Sequence, residues 1–232
     1  MKELKAKPEA ILVDVRPRSE FEKLRIPGSI NIDLFAVKTK TFLAPKPIVL
    51  INDGYRYRQL EEEARLLRHA GFMVTILDGG LANWRQKNGP LEGDAFFQKD
   101  LNKNPPQIFF QERDFDNWVV MDATTANKRM ATYFLPESVP MVASGDPEQL
   151  SAQFNVLRTT HKNTPFLSLL ILNDDGKGCE ELETLLAKAG MMKVFFLQGG
   201  IEGYGSFLEQ QASLLQPAAQ PKKIVGRCAT CP

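Results

Sequence analysis

Residues 48–53 read IVLIND and residues 169–174 read LLILND, two apolar runs that each end in an Asn-Asp pair. Each run has the length of a strand, and a strand that is apolar throughout is typical of a sheet covered on both faces. The polar pair marks the point where the strand gives way to a loop. The two runs therefore predict a strand–loop unit that occurs twice in the chain.

The sequence on either side of the two runs repeats as well. Four further pairs of motifs match: ILVD and VVMD, which end at Asp14 and Asp122; IPGS and LPES, around Pro27 and Pro136; LDGG and LQGG, which end at Gly80 and Gly200; and the aromatic residues Trp84 and Tyr204. The offset is 108 or 109 residues for the first two pairs and 120 or 121 residues from the apolar runs onward. The change in the offset predicts one insertion of about a dozen residues. A surface connection accepts an insertion of this length at modest entropic cost.

Helical patterns follow the strands in both halves. Leu60, Ala64 and Leu67 share one face of a predicted helix, and Pro147 opens another within the insertion. Strands that alternate with helices predict an α/β fold with a mainly parallel sheet, flanked by helices, in each unit. We expect a first unit over residues 1–95, a linker over 96–106, a divergent second unit over 107–212 and a flexible C-terminal tail over 213–232.

Length and charge limit the classes of function. A chain of 232 residues suits two units of about 100 residues each. Its 29 basic and 28 acidic residues are nearly balanced, which disfavours binding to nucleic acid or an anionic membrane. No apolar run approaches the roughly 20 residues of a membrane span, and the charged first residues lack the apolar centre of a secretory signal. We expect a cytoplasmic protein, or a periplasmic one if an export signal has been removed.

The motifs of the first unit resemble those of the rhodanese (thiosulfate sulfurtransferase) family. The resemblance covers residues 10–88 and rests on DVR at 14–16, IPGS at 26–29, and LDGG at 77–80 with Trp84; the second unit is more weakly similar. It implies two tandem rhodanese-like domains. It also implies a site in the loop after the apolar strand, where rhodaneses hold a nucleophilic cysteine that carries a persulfide stabilised by backbone N–H groups.

That loop position is Asn52 in the first unit and Asn173 in the second. Because a carboxamide cannot become a thiolate nucleophile, conventional thiosulfate sulfurtransferase activity is not expected. Backbone N–H groups at a helix N-terminus still favour an anion. The candidate anion-binding residues are Gly54, Arg56 and Arg58 in the first loop and Gly176 in the second.

The three cysteines are the remaining candidates for catalysis. Cys228 and Cys231 form a C-x-x-C pair, which can form a reducible disulfide, carry a persulfide, supply half of a zinc site shared by two chains, or be inert. Cys179 lies near the start of a predicted helix, where the dipole lowers a thiol pKa; the alternative is a packed, unreactive side chain. We predict no cofactor and no metal site within one chain.

Two functions follow from these residues. The first is a sulfur-handling protein that carries sulfane sulfur or redox equivalents on Cys228 and Cys231, with a sulfur donor or acceptor, or a thiol protein, as its partner. The second is a non-catalytic binding or regulatory module whose cysteine-free loops recognise an anion or a protein partner. The thiols of the tail discriminate between them, because only the first function needs these thiols.

Overall fold

The computed structural model describes residues 10–142 and 146–215, which form two main sheets with helices packed on them. The strands are β1 (Ile11–Asp14), β2 (Leu24–Arg25), β3 (Ile30–Asn31), β4 (Ile48–Ile51), β5 (Val74–Ile76), β6 (Glu92–Gly93), β7 (Lys103–Asn104), β8 (Trp118–Asp122), β9 (Val139–Pro140), β10 (Ser168–Leu172) and β11 (Val194–Leu197). The helices are α1 (Arg18–Lys23), α2 (Arg58–His69), α3 (Gly80–Gln86), α4 (Ala95–Asp100), α5 (Pro106–Glu112), α6 (Lys128–Phe134), α7 (Pro147–Thr160), α8 (Cys179–Lys188) and α9 (Gly200–Leu215). Two short 3-10 helices, Leu34–Thr39 and Thr41–Leu43, connect β3 to β4.

Both main sheets consist of parallel strands. The first has the order β3-β1-β4-β5 and the second the order β7-β11-β10-β8-β9, while β2 and β6 form a small antiparallel pair. Every residue of β4 and of β10 is buried, as the two apolar runs predict. The prediction of an α/β fold with helix-flanked parallel sheets is confirmed, and two such sheets fit the expectation of two units.

The predicted helices lie close to their expected positions. Helix α2 buries Leu60, Ala64 and Leu67 and ends just before Gly71, which has a φ of +89°. Helix α7 occupies the predicted insertion and begins at Pro147. Among the described residues, no helix is long and apolar enough to cross a bilayer.

Two of the expected boundaries need correction. The expected linker, residues 96–106, holds most of α4 and the whole of β7, which pairs with β11 and forms an edge of the second sheet. A two-residue strand is too short to show a hydrophobic period, so the pattern missed it. Helix α9 runs to Leu215, past the expected boundary at residue 212, because its exposed last turn carries no apolar period but contains good helix formers. The rest of the expected tail, with Cys228 and Cys231, lies outside the described residues.

The two sheets share an apolar core. Phe195, on β11 of the second sheet, is fully buried and packs edge-on against Tyr55 of the first unit, with 5.8 Å between ring centroids. It also contacts Trp118 at 5.6 Å. Tyr57 of the first unit stacks on Phe166 of the second at 4.6 Å. The residues after β4 are therefore held partly by side chains of the other sheet.

Polar contacts fix the same interface at its edge. Arg85 of α3 forms an ion pair of 2.6 Å with Glu183 of α8. The Nζ of Lys193 lies 3.0 Å from both carboxylate oxygens of Asp78. The two units therefore pack in a defined orientation.

Truncation of Phe195 tests the importance of the shared core. We expect Phe195→Ala to lower the free energy of unfolding by about 3–5 kcal/mol, because the variant leaves a cavity between the two sheets. Phe96→Ala is the matched control, since Phe96 is 80% exposed, and we expect a change within about 0.5 kcal/mol. Urea unfolding followed by circular dichroism gives both values. Equal effects of the two substitutions would show that the sheets do not depend on this contact.

Candidate active-site loop and its cavity

The loop that follows β4, residues 52–57 and here called loop one, lies at the carboxyl end of the first sheet. In open parallel sheets this edge is where ligands bind. The carbonyl of Asn52 accepts a hydrogen bond of 2.9 Å from the N–H of Leu81, in the first turn of α3. Gly80 makes this approach feasible, because a Cβ there would lie 2.3 Å from the backbone nitrogen of Gly54. Loop one is thus tightly packed against the start of α3.

The side chain of Asn52 closes loop one on itself. Its Nδ2 donates to the carbonyl of Arg56 at 2.7 Å, and its Oδ1 accepts from the N–H of Gly54 at 3.0 Å. The residue is only 3% exposed. The N–H of Gly54, a predicted anion donor, is therefore already used by Asn52, the residue at the expected nucleophile position.

Glu112 of α5 accepts hydrogen bonds from two further backbone N–H groups of this region. Its Oε2 accepts from the N–H groups of Tyr57 at 3.0 Å and of Arg58 at 2.9 Å. These groups belong to the N-terminus of α2, where backbone donors have no partner within the helix. Burial raises the pKa of the Glu112 carboxyl group, although both hydrogen bonds oppose the shift. The chain thus supplies its own carboxylate at the place where an external anion would bind.

Beside loop one, the buried guanidinium of Arg16 and the half-buried guanidinium of Arg56 are paired with carboxylates. Asp14 accepts from the backbone N–H of Arg16 at 3.0 Å and from its guanidinium at 2.8 Å, so Asp14 holds the segment that follows β1. Arg56 lies 3.1 Å from Glu20 and 3.0 Å from Asp53. The charge of Arg56, a predicted anion ligand, is therefore compensated within the chain.

A cavity of about 570 Å³ opens above loop one, and we call it the loop-one cavity. It lies between loop one, the segment after β1, the first 3-10 helix, the start of α2 and α5. Its polar lining comprises Arg16, Asp33, Asn52, Asp53, Arg56, Arg58, Gln59, Gln111 and Glu112. Its apolar lining comprises Val15, Pro17, Leu34, Phe35, Leu60 and Ile108. This mixture of apolar wall and polar floor suits a small organic ligand.

Asp53 is the most perturbed acid in this cavity. It is 4% exposed, and burial raises its pKa to about 7, with the guanidinium groups of Arg56 and Arg16 opposing the shift and Glu20 adding to it. Near neutral pH, this group therefore changes its protonation state.

The loop that follows β10, residues 173–178 and here called loop two, is closed by its asparagine in a similar way, with the N–H donor one position further along the chain. The Nδ2 of Asn173 donates to the carbonyl of Lys177 at 2.7 Å, and its Oδ1 accepts from the N–H of Gly176 at 2.9 Å. The carbonyl of Asn173 accepts from Ile201, in the first turn of α9, at 2.9 Å. Gly176, the predicted anion donor of loop two, is thus engaged in the same way as Gly54.

Asp174 follows Asn173 and points away from its own loop. Its carboxylate accepts from the hydroxyl and N–H of Thr125 and from the N–H groups of Ala126 and Asn127, at distances from 2.8 to 3.1 Å for the shortest contact of each donor. Burial acts to raise its pKa, but these hydrogen bonds lower it to about 2. Asp174 thus fixes the segment before α6 and stays charged.

Cys179 begins α8 but is not activated there. Its thiol donates to the carbonyl of Gly176 at 3.1 Å, and the residue is 8% exposed. Burial raises the pKa of the thiol, although nearby Lys103 opposes the shift. The raised pKa favours the alternative of a packed, unreactive side chain over a thiol activated by the helix N-terminus.

The structure separates the predicted site residues into two groups. Asn52, Gly54, Arg56 and Arg58 gather at loop one, and Asn173, Gly176 and Cys179 gather at loop two. The sequence did not single out Glu112, whose position on α5 is set by tertiary packing, nor Asp53, although it follows Asn52 directly. Among residues 10–142 and 146–215, no group of three or more potential ligand side chains could hold a metal ion.

Residues 1–87 match the family model of the rhodanese-like domain. This part of the chain, which includes loop one, is therefore similar to rhodanese-like domains. The family match supports the resemblance inferred from the motifs of the first unit.

Among curated proteins, the chain is 36% identical over 91 residues to the uncharacterized protein YibN of Escherichia coli, covering 37% of this chain and 62% of YibN. It is 34% identical over 89 residues to the HTH-type transcriptional regulator Rv0324 of Mycobacterium tuberculosis, covering 38% of this chain and 39% of that protein. Both matches thus span less than two thirds of the relatives. A solved structure of SseA from Escherichia coli, described as a 3-mercaptopyruvate sulfotransferase, aligns with 86% of this chain and 95% of its own at 18% identity and a TM-score of 0.31.

The raised pKa of Asp53 predicts a pH-dependent stability. Because the folded state binds this proton more tightly than the unfolded chain, the contribution is complete below about pH 4 and is lost as the pH rises through about 7. We expect Asp53→Asn to gain stability relative to the wild type between about pH 5 and pH 8. Urea unfolding across this range measures the difference, with exposed Asp33→Asn as the control. Identical pH profiles for the two variants would contradict the assignment.

Proposed function

We propose that this chain is a non-catalytic binding module built from two rhodanese-like units, with the loop-one cavity as its ligand site. The observation that supports the proposal most strongly is that loop one has no thiol and that several of its N–H groups are already hydrogen-bonded. The carboxamide of Asn52 replaces the thiol and bonds to the loop backbone, and Glu112 occupies the next two N–H groups. A loop arranged in this way can present a surface to a ligand, but it offers no nucleophile.

The proposal of two related units is supported by the second loop. Asn52 and Asn173 each follow a fully buried strand, and each side chain bridges a carbonyl and an N–H group of its own loop. Gly80 and Gly200 each lie against the loop backbone, where a Cβ would have less than 3 Å of space. We infer that the loop cysteine of the family is missing from both units and that neither loop forms a persulfide.

The absence of a nucleophile predicts no sulfur transfer at the loops. We expect thiosulfate-to-cyanide transfer by the wild-type chain to stay at the background rate, because an amide cannot attack a sulfane sulfur. The assay compares the wild type with a variant in which serine replaces Cys179, Cys228 and Cys231, and a rhodanese with its loop cysteine serves as the positive control. Robust turnover that persists in the serine variant would refute the binding-module proposal.

A second candidate function places sulfur chemistry on Cys228 and Cys231. It is favoured by the C-x-x-C spacing and by Lys222, Lys223 and Arg227 nearby in the sequence, which stabilise a thiolate. In this reaction a cysteine thiolate attacks the outer sulfur of thiosulfate, a new S–S bond forms, and sulfite leaves with the bonding electron pair. The product is a cysteine persulfide, which a partner's thiol can take up. Since these two cysteines lie outside the described residues, this function depends on the sequence alone.

Competitive alkylation tests the second candidate, with Cys179 as an internal reference. We expect Cys228 and Cys231 to be persulfidated or alkylated at least about ten times faster than Cys179, because Cys179 is buried and its thiol pKa is raised. Mass spectrometry after brief treatment with iodoacetamide, with and without thiosulfate, gives the rates. In urea the three rates should converge. Equal and slow modification in the folded chain would rule out sulfur handling by the pair.

A further inference from the structure

Carboxylates outnumber guanidinium groups around the loop-one cavity. The charged residues that line the cavity or pair with its lining are Arg16, Arg56, Arg58, Asp14, Glu20, Asp33, Asp53, Glu112 and Asp114. Arg16 is paired with Asp14 and Arg56 with Glu20 and Asp53. Negative charge is therefore in excess even when the buried Asp53 is protonated.

Three backbone donors of the site are also in use. The N–H of Gly54 is bonded to Asn52, and those of Tyr57 and Arg58 are bonded to Glu112. An anion that enters the cavity thus meets two guanidinium groups, those of Arg16 and Arg56, that are already paired with carboxylates. To reach the N–H groups of Gly54, Tyr57 or Arg58, it must displace an existing hydrogen bond.

Besides Asp53, whose Oδ2 is ion-paired with Arg56, two carboxylates of the cavity keep an oxygen without a hydrogen-bond partner among the described residues. Glu112 uses Oε2 for both of its hydrogen bonds, which leaves Oε1, and the residue is only 7% exposed. Asp33 uses Oδ1 to accept from the N–H of Phe35 at 3.0 Å, which leaves Oδ2. A carboxylate oxygen with free lone pairs is a strong acceptor for a charged donor.

Apolar side chains of the same cavity complete the site. Leu34, Phe35 and Ile108 line it together with the two carboxylates, and Phe35 is 50% exposed. Such a wall fits the methylene groups of an alkyl chain, whose charged end then lies near the carboxylates. The ring of Phe35 also suits a nearby cation.

We propose that the loop-one cavity binds an alkylguanidinium or alkylammonium group, with Glu112 and Asp33 as the counter-charges. This inference rests on the proposed binding function and adds the charge and shape of the ligand. The group could belong to a free small molecule or to an arginine or lysine side chain of a protein partner. Both sources share the same chemistry, a positively charged donor on an apolar stem.

Calorimetric titration of the full chain distinguishes the ligand classes and sources. The probes are propylguanidinium and butylammonium for a free ligand, a neutral-ended peptide with one central arginine for a protein partner, and thiosulfate for an anion. We expect a dissociation constant on the order of 1 mM or below for at least one cationic probe, and no binding of thiosulfate. If the peptide binds more tightly than the free cations, the natural ligand is a side chain of a protein partner. If a free cation binds more tightly, the natural ligand is a small molecule.

Two substitutions of Glu112 separate the effect of its negative charge from the effect of its hydrogen bonds to the N–H groups of Tyr57 and Arg58. Glu112→Gln keeps an oxygen for the N–H groups of Tyr57 and Arg58 but removes the charge, so cation binding should weaken about tenfold or more. Glu112→Ala frees both N–H groups, so thiosulfate binding should appear in this variant. Glu209→Gln, an equal charge change at an exposed residue of α9, should bind the cation like the wild type.

The outcomes separate this inference from the proposed function. Binding of thiosulfate but of no cationic probe by the wild type, binding of none of the probes, or unchanged cation binding by Glu112→Gln would overturn the assignment of a cationic ligand. Sulfur transfer by the wild type that persists without its cysteines would instead refute the binding-module function. Circular dichroism of each variant confirms that it is folded before titration.

Discussion

Loop one keeps its shape because the backbone at the start of α3 lies directly against it. The carbonyl of Asn52 accepts from α3, and a side chain on Gly80 would collide with the backbone of Gly54. Gly80 has a φ of +52°, a backbone angle that residues with a Cβ rarely adopt. Gly200 makes the equivalent contact with Asn173. The floor of the cavity, and the direction in which the loop side chains point, depend on this backbone contact.

Once this backbone is fixed, the side chains decide what the site can do. A cysteine at the first loop position would leave the loop N–H groups free to stabilise a sulfur anion, whereas Asn52 uses one of them itself. Glu112 then uses two more, from the opposite side of the cavity. Three N–H groups in loop one and at the start of α2 are thus satisfied within the chain. Asn52 and Glu112, which lie on opposite sides of the cavity, together decide which donors a ligand can reach.

Most of the architecture could be predicted from the sequence, because it depends on local patterns. The apolar runs, the glycine stop of α2 and Pro147 at the start of α7 are all visible as short motifs. The electrostatics could not be predicted in the same way. Glu112 reaches loop one from more than 50 residues away in the chain, and no periodicity connects the two. The raised thiol pKa of Cys179 likewise follows from burial, which the position at a helix start does not reveal.

Asp53 and Asp174 occupy the same position in their loops, directly after the asparagine, and each backbone carbonyl accepts from the helix that follows the glycine pair. Their side chains face different surroundings, since Asp53 lies in the cavity and Asp174 binds the segment before α6. Because the pKa is about 7 for Asp53 and about 2 for Asp174, only Asp53 changes its protonation state near neutral pH. The position of an aspartate in its loop therefore does not set its acidity, which depends on the groups that the rest of the fold brings against it.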